Sequence, residues 1–184
     1  METLIHSFLA VTLTEMGDKT QLLALVLASR FRRPWTVMAG ILVATVANHL
    51  LAASLGDWVA RAVSPDTLRW VLSLSFVAFA IWVLIPDRHD ESADLGRRGA
   101  FLTTVLTFFL AEMGDKTQLT TLALAARYED IPIVTLGTTL GMLFSDGLAV
   151  FFGERITRIV PMVWIHRVAA GLFILFAIGL WISF

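Results

Sequence analysis

Apolar residues run along this chain in blocks of about 20, separated by short segments that hold most of its arginines and its prolines. Blocks of that length are long enough to cross ~30 Å of hydrocarbon as helices. They predict spans over 4–29, 35–60, 67–85, 99–126, 132–152 and 163–184. Arg30-Phe31-Arg32-Arg33-Pro34 closes the first and opens the second, while Pro86 and Pro161 mark later ends. The expected fold class is all-α: a polytopic membrane protein of six transmembrane helices. Trp35, Trp58, Trp70, Trp82, Trp164 and Trp181 fall near span ends, where interfacial anchors belong. The first block is expected to be an uncleaved helix rather than a secretory signal, because Met1-Glu2 brings no basic residue before it and the block contains Glu15, Asp18 and Lys19.

The pattern also repeats. Residues 15–22 read Glu-Met-Gly-Asp-Lys-Thr-Gln-Leu, and residues 112–119 read the same eight, 97 positions later. The same offset carries Gly40 onto Gly137, Gly56 onto Gly153, Asp57 onto Glu154, and Phe79-Ala80-Ile81 onto Phe176-Ala177-Ile178. The chain is therefore expected to comprise a first three-helix repeat (1–86), a cytoplasmic loop (87–98) and a second three-helix repeat (99–184). Three spans are an odd number, so the second unit enters the membrane from the opposite side, giving inverted-topology repeats of the kind that enclose midplane sites in secondary transporters.

Charge then fixes the orientation. Arg30, Arg32, Arg33, Arg88, Arg97, Arg98, Arg155, Arg158 and Arg167 belong to the first, third and fifth loops, against Arg61, Arg69 and Arg127 in the others. Nine against three predicts both termini outside. The acids Asp87, Asp90, Glu91 and Asp94 do not overturn this, because the rule counts basic residues. Composition agrees with the membrane class: 57% hydrophobic, 16% charged, with a mean hydropathy of +0.78. A net charge of −1 offers no basic field for nucleic acid. With no cysteine, any metal must be held by oxygen or imidazole.

The candidate chemistry lies inside the apolar blocks. Glu15, Asp18 and Lys19 fall near the middle of the first span, and Glu112, Asp115 and Lys116 near the middle of the fourth. At ~2.5–3.5 kcal/mol each, six such charges oppose insertion by roughly 15–20 kcal/mol, more than packing alone justifies. On a continuous helix Glu15 and Asp18 share a face, as do Glu112 and Asp115, so four carboxylates are expected to converge. Gly17 and Gly114 are candidate hinges, where a local break frees backbone carbonyls. Thr20, Gln21, Thr117 and Gln118 add neutral oxygens on the next turn. Such a donor set suits Ca²⁺, Mg²⁺ or Mn²⁺.

Lys19 and Lys116 are the candidate charge partners, either in ion pairs with Glu15 and Glu112 four residues back or reaching away from the site to hold helix register. With both lysines charged, the four acids and two lysines sum to −2. In the second and fifth spans the offset pairs Asn48-His49 with Ser145-Asp146. Asp146 is expected to join the metal site as a carboxylate deep in a span. His49 is a proton relay, a ligand or a hydrogen-bonded packing residue. Asn48 and Ser145 are supporting polar groups.

The doubled motif resembles the signature Glu-apolar-Gly-Asp-(Lys/Arg)-(Ser/Thr) of a membrane cation-transporter family that includes bacterial manganese exporters and Golgi and chloroplast exchangers of Mn²⁺ or Ca²⁺ for protons. Both copies match at every position, and the resemblance covers essentially the whole chain. It implies that Glu15, Asp18, Glu112 and Asp115 bind the metal, with Thr20 and Thr117 as supporting ligands and Asp146 as a further acid. It implies a secondary transporter exporting a divalent cation, foremost Mn²⁺, in exchange for protons. The expected partners are lipid, the transported ion and protons, with no tightly bound cofactor and no enzymatic activity. Lacking the N-terminal extension of eukaryotic members, the chain fits a bacterial inner-membrane exporter. The competing readings are a Ca²⁺/proton exchanger, a channel-like uniporter, an exporter of a basic amino acid, an intramembrane enzyme acting on lipid phosphate, and a passive scaffold. The enzyme reading lacks phosphate ligands, since no arginine sits at the centre of a span.

Overall fold

The computed structural model describes residues 1–82, 84, 99–152 and 162–182. The predicted loop 87–98, with Arg88, Arg97 and Arg98 and its acids, lies outside them, as do Pro86, Gly153, Glu154, Arg155, Arg158 and Pro161. Every regular element described is a helix: α1 (Glu2–Glu15), α2 (Lys19–Phe31), α3 (Pro34–Ala62), α4 (Pro65–Trp82), α5 (Ala100–Glu112), α6 (Lys116–Tyr128), α7 (Ile131–Phe152) and α8 (Met162–Ile182).

The expected single helices over 4–29 and 99–126 are each two helices. The cause is local. Gly17 takes φ +85° and Gly114 φ +76°, a left-handed conformation that glycine adopts without Cβ strain and that ends a helix. Asp18 and Asp115 then stand as N-caps, each carboxylate accepting the N–H of the following lysine at 2.7 Å. Gln21 and Gln118, at the third position of the new helices, turn back so that their Oε1 atoms accept the N–H groups of Gly17 (2.9 Å) and Gly114 (2.7 Å). Asp and Gln together satisfy N–H groups that a helix start leaves open. At ~1.5 Å rise per residue, α1, α2, α5 and α6 are each only about 20 Å long. Two unbroken helices among the described residues, Pro34–Ala62 and Ile131–Phe152, are long and apolar enough to cross a membrane.

Packing repeats with the same offset. A Cβ on Gly40 of α3 would lie 2.7 Å from Thr104 Cβ and 3.1 Å from the Phe101 carbonyl of α5. On Gly137 of α7 it would lie 2.7 Å from Ser7 Cβ and 2.8 Å from the Leu4 carbonyl of α1. Ser7 and Thr104, like Leu4 and Phe101, are 97 positions apart, so α1 approaches α7 as α5 approaches α3. Glycine is required at both because the Cβ of one neighbouring residue and the backbone carbonyl of another occupy the place of a side chain. α4 and α8 pair beside this four-way arrangement: Ser73 Oγ donates to the Ala177 carbonyl (3.0 Å), the Trp181 indole donates to Ser73 Oγ (2.9 Å), and Phe76 stacks on Phe173. The outer faces of α3 and α7 are apolar, with Leu42, Val46, Leu50, Leu136, Leu140 and Phe144 exposed.

Candidate functional site

The two helix breaks face one another in the interior. Glu15, the last residue of α1, is fully buried, as is Asp146 of α7, and Glu112, the last residue of α5, is 1% exposed. Glu15 lies within electrostatic reach of Asp146 and Asp115, and Glu112 within reach of Glu15, Asp115, Asp146 and Lys19. The acids that the sequence singled out are thus brought into one region, contributed by α1, α5, the two breaks and α7.

They are not equivalent. Both motif threonines serve Glu15: Thr20 Oγ1 donates to one carboxylate oxygen at 2.5 Å and Thr117 Oγ1 to the other. The repeat counterpart Glu112 has no hydrogen-bond partner on either oxygen, and neither oxygen of Asp146 has one. Buried polar atoms are nearly always satisfied, so two carboxylates left bare in a closed interior call for an occupant. A cation that takes hard oxygen ligands fits these oxygens. Among the described residues no group of three or more His, Asp or Glu side chains is already arranged around a single metal position, so the expected convergence of four carboxylates is only partly met.

The reason is that Asp18 and Asp115 are engaged elsewhere. With the helix broken between residues 15 and 18, Glu15 and Asp18 do not share a helix face, and neither do Glu112 and Asp115. Nor do the lysines pair with the glutamates four residues back or reach away from the site. Lys19 Nζ lies 2.9 Å from Asp115 Oδ2, and Lys116 Nζ 3.1 Å from Asp18 Oδ2. Each lysine crosses to the other half of the chain, because capping turns both aspartates toward the opposing break. The two ion pairs differ in access: the Lys19 side chain is 40% exposed and that of Lys116 only 4%.

Supporting residues also pair across halves. Gln21 Nε2 donates to the Ser145 carbonyl (3.1 Å) and hydroxyl (3.3 Å), while Gln118 Nε2 donates to Asn48 Oδ1 (3.2 Å), whose own amide donates to the Phe109 carbonyl (3.0 Å). These bonds tie each break to the long helix of the other repeat. The glutamines therefore act first as structural bridges, their oxygens already accepting glycine N–H groups. His49 is fully buried with no partner on either ring nitrogen. Sequence reasoning did not single out Thr120, whose buried hydroxyl is also unpartnered. Its position one helical turn beyond Thr117 was the available signal.

The chain matches the family model described as "Divalent cation/proton antiporter GDT1" over residues 3–91 and 100–183, one segment in each half. It is 48% identical over 180 residues to a Vibrio cholerae protein named "Putative manganese exporter", covering 97% of this chain and 90% of that protein. It is 26% identical to a GDT1-like protein of Synechocystis, with 94% and 93% covered. It is 24% identical to "GDT1-like protein 3" of Arabidopsis thaliana, with 97% and 70% covered. No solved structure matches it.

Proposed function

The chain belongs to the GDT1 family of divalent cation/proton antiporters, transporters rather than enzymes, and from that premise we propose that it exports Mn²⁺ across a bacterial inner membrane in exchange for protons. The observation that carries this reading is the pair of buried carboxylates without partners, Glu112 and Asp146, beside a third, Glu15, held by two threonine hydroxyls. In this reading Glu15, Asp18, Glu112, Asp115 and Asp146 are the metal-binding acids, Thr20 and Thr117 support them, and Gly17 and Gly114 are the hinges. The manganese preference rests on the Vibrio relative's name. The same oxygen donors suit Ca²⁺, which is therefore the second ion to test.

The two halves form six crossings with inverted topology, α1 with α2 and α5 with α6 each making one interrupted span. Two contacts support this. His6 at the start of α1 bonds Tyr128 at the end of α6 (2.6 Å), and Trp70 near the start of α4 packs on Trp181 at the end of α8. Where one half begins an element, the other ends its counterpart. The arginine bias of the loops sets both termini outside.

Transport then follows from competition. A partly dehydrated cation gains the bare carboxylates, the halves shift relative to one another about the glycine breaks, and protons arriving from outside take the same oxygens and release the metal. The test is Mn²⁺ and Ca²⁺ flux into proteoliposomes under an imposed pH gradient, for the wild type, Glu15→Gln and Glu112→Gln. Flux that follows the gradient, favours Mn²⁺ and vanishes in both variants is expected. A wild type that moves neither ion overturns the proposal.

A further inference from the structure

We propose that Lys19 and Lys116 are tethered counter-cations that the transported ion displaces one at a time, Lys19 from Asp115 in the conformation described here. The inference deepens the cation-transport reading above and rests on it. Each ammonium sits where a metal would otherwise find a carboxylate: Lys19 at 2.9 Å from Asp115 and Lys116 at 3.1 Å from Asp18. Both bonds join opposite halves of the chain, so neither survives unchanged if the halves move against each other. They are also unequally accessible, with the Lys19 side chain 40% exposed and Lys116 and Asp18 at 4% and 0%.

The consequences are electrostatic and geometric. An empty site holding five acids and no internal cation would carry its whole charge through the low-dielectric interior, which is costly. A lysine on each aspartate reduces that charge while remaining removable, because its flexible stem lets the ammonium withdraw without breaking the helix. Lys19 also lies within electrostatic reach of Glu112, whose oxygens are bare. An incoming divalent cation that engages Glu112 repels Lys19 and frees Asp115 as a further ligand, while the buried Lys116 pair keeps the opposite side closed. The repeat supplies the converse arrangement, with Lys116 released and Lys19 held, once the halves have shifted. Lysine here is a positioning residue that sets how tightly the site holds its cargo and how readily it lets go.

The experiment compares the full-length wild type, Lys19→Gln and Lys19→Arg, each purified in detergent for equilibrium Mn²⁺ binding and reconstituted for initial-rate flux. Removing the tethered competitor is expected to tighten Mn²⁺ binding about tenfold, the factor carried by about 1.4 kcal/mol. The KM for transport should fall with it, and turnover should fall about tenfold or more because release slows. Lys19→Arg, which keeps the cation, should bind Mn²⁺ as the wild type does. A purely structural lysine gives the opposite split: Lys19→Gln then binds Mn²⁺ equally or more weakly, and that result overturns the proposal. If Lys19→Gln cannot be purified folded, Lys19→Met, which keeps the apolar stem without the ammonium, is measured in the same way, with the same tightening expected and the same result overturning. A wild type that neither binds nor moves Mn²⁺ or Ca²⁺ defeats the transport reading itself. A wild type that binds, with a charge-removing variant of Lys19 that binds no tighter, defeats only this inference.

Discussion

Asp146→Asn separates a carboxylate kept for cargo from one kept for the fold. Asp146 is fully buried in α7, neither of its oxygens has a hydrogen-bond partner, and Glu15 lies near enough to repel it. An unsatisfied buried polar group costs roughly 1–3 kcal/mol, and more when charged. Asparagine keeps the volume and the unpartnered polar atoms and removes only the charge, so the metal-free protein is expected to gain the excess that the charge adds, about 1 kcal/mol. For a chain of this size that raises Tm by roughly 2–4 °C. The wild type should recover its deficit when the cation binds, since ligand at a hundredfold excess over Kd stabilises by about 2.7 kcal/mol. The variant should lose that response and its flux. Thermal melts in detergent with and without Mn²⁺, run beside proteoliposome flux, read both quantities. An Asp146→Asn protein that melts lower without metal yet still transports would refute the reasoning, because the carboxylate would then be holding helices together.

Gly137→Ala and Gly40→Ala should each destabilise by about 1–3 kcal/mol, since the new methyl meets Ser7 and the Leu4 carbonyl, or Thr104 and the Phe101 carbonyl, at 2.7–3.1 Å; unchanged melting would refute the close approach. Gly114→Ala and Gly99→Ala form a matched pair, as neither Cβ meets anything within 4 Å but only Gly114 has a positive φ, +76°. The first should lose about 1–2 kcal/mol to backbone strain and the second should be neutral or slightly stabilised, both read by thermal melts. Gln21→Leu removes the acceptor of the Gly17 N–H and the bridge to Ser145, so a loss of about 1–3 kcal/mol with reduced flux is expected; melting and transport assays of that variant check it.

Much of this arrangement was legible because it follows from nearest neighbours in the chain. The eight-residue repeat announced that two stretches share one local structure, and the glycine in each marked a candidate hinge; the complete break there, with the aspartate as the cap of a new helix, was not legible, because the apolar run continues through it. The outer boundaries of α3, α4, α7 and α8 fall within three residues of the expected spans. Long-range pairing was not legible. Helical spacing pointed Lys19 at Glu15, but that spacing holds only on an unbroken helix, and the break hands Lys19 to Asp115 instead. The glutamines read as ligands because an amide oxygen is a hard donor. Their oxygens accept glycine N–H groups, a role set by the capping geometry that the break creates. Orientation by loop arginines draws heavily on residues 87–98 and 153–161, so in the described residues it leans on Arg30, Arg32, Arg33, Arg61, Arg69, Arg127 and Arg167.

Two identical motifs in unequal surroundings carry an argument of their own. Thr20 and Thr117, one from each repeat, both donate to Glu15, and Glu112 receives neither. Nothing in the motifs accounts for the preference, because the residues from 15 to 22 and from 112 to 119 are the same. An exchange of roles, with both hydroxyls on Glu112 and Glu15 bare, would use the same side chains and bonds of the same kind, so the motifs themselves contribute little to the free-energy difference between the two arrangements. That difference must come from positions where the repeats diverge, among them His49 opposite Asp146 and Asn48 opposite Ser145. A repeated motif lowers the cost of switching, and divergence around it selects which arrangement is occupied when no cation is bound.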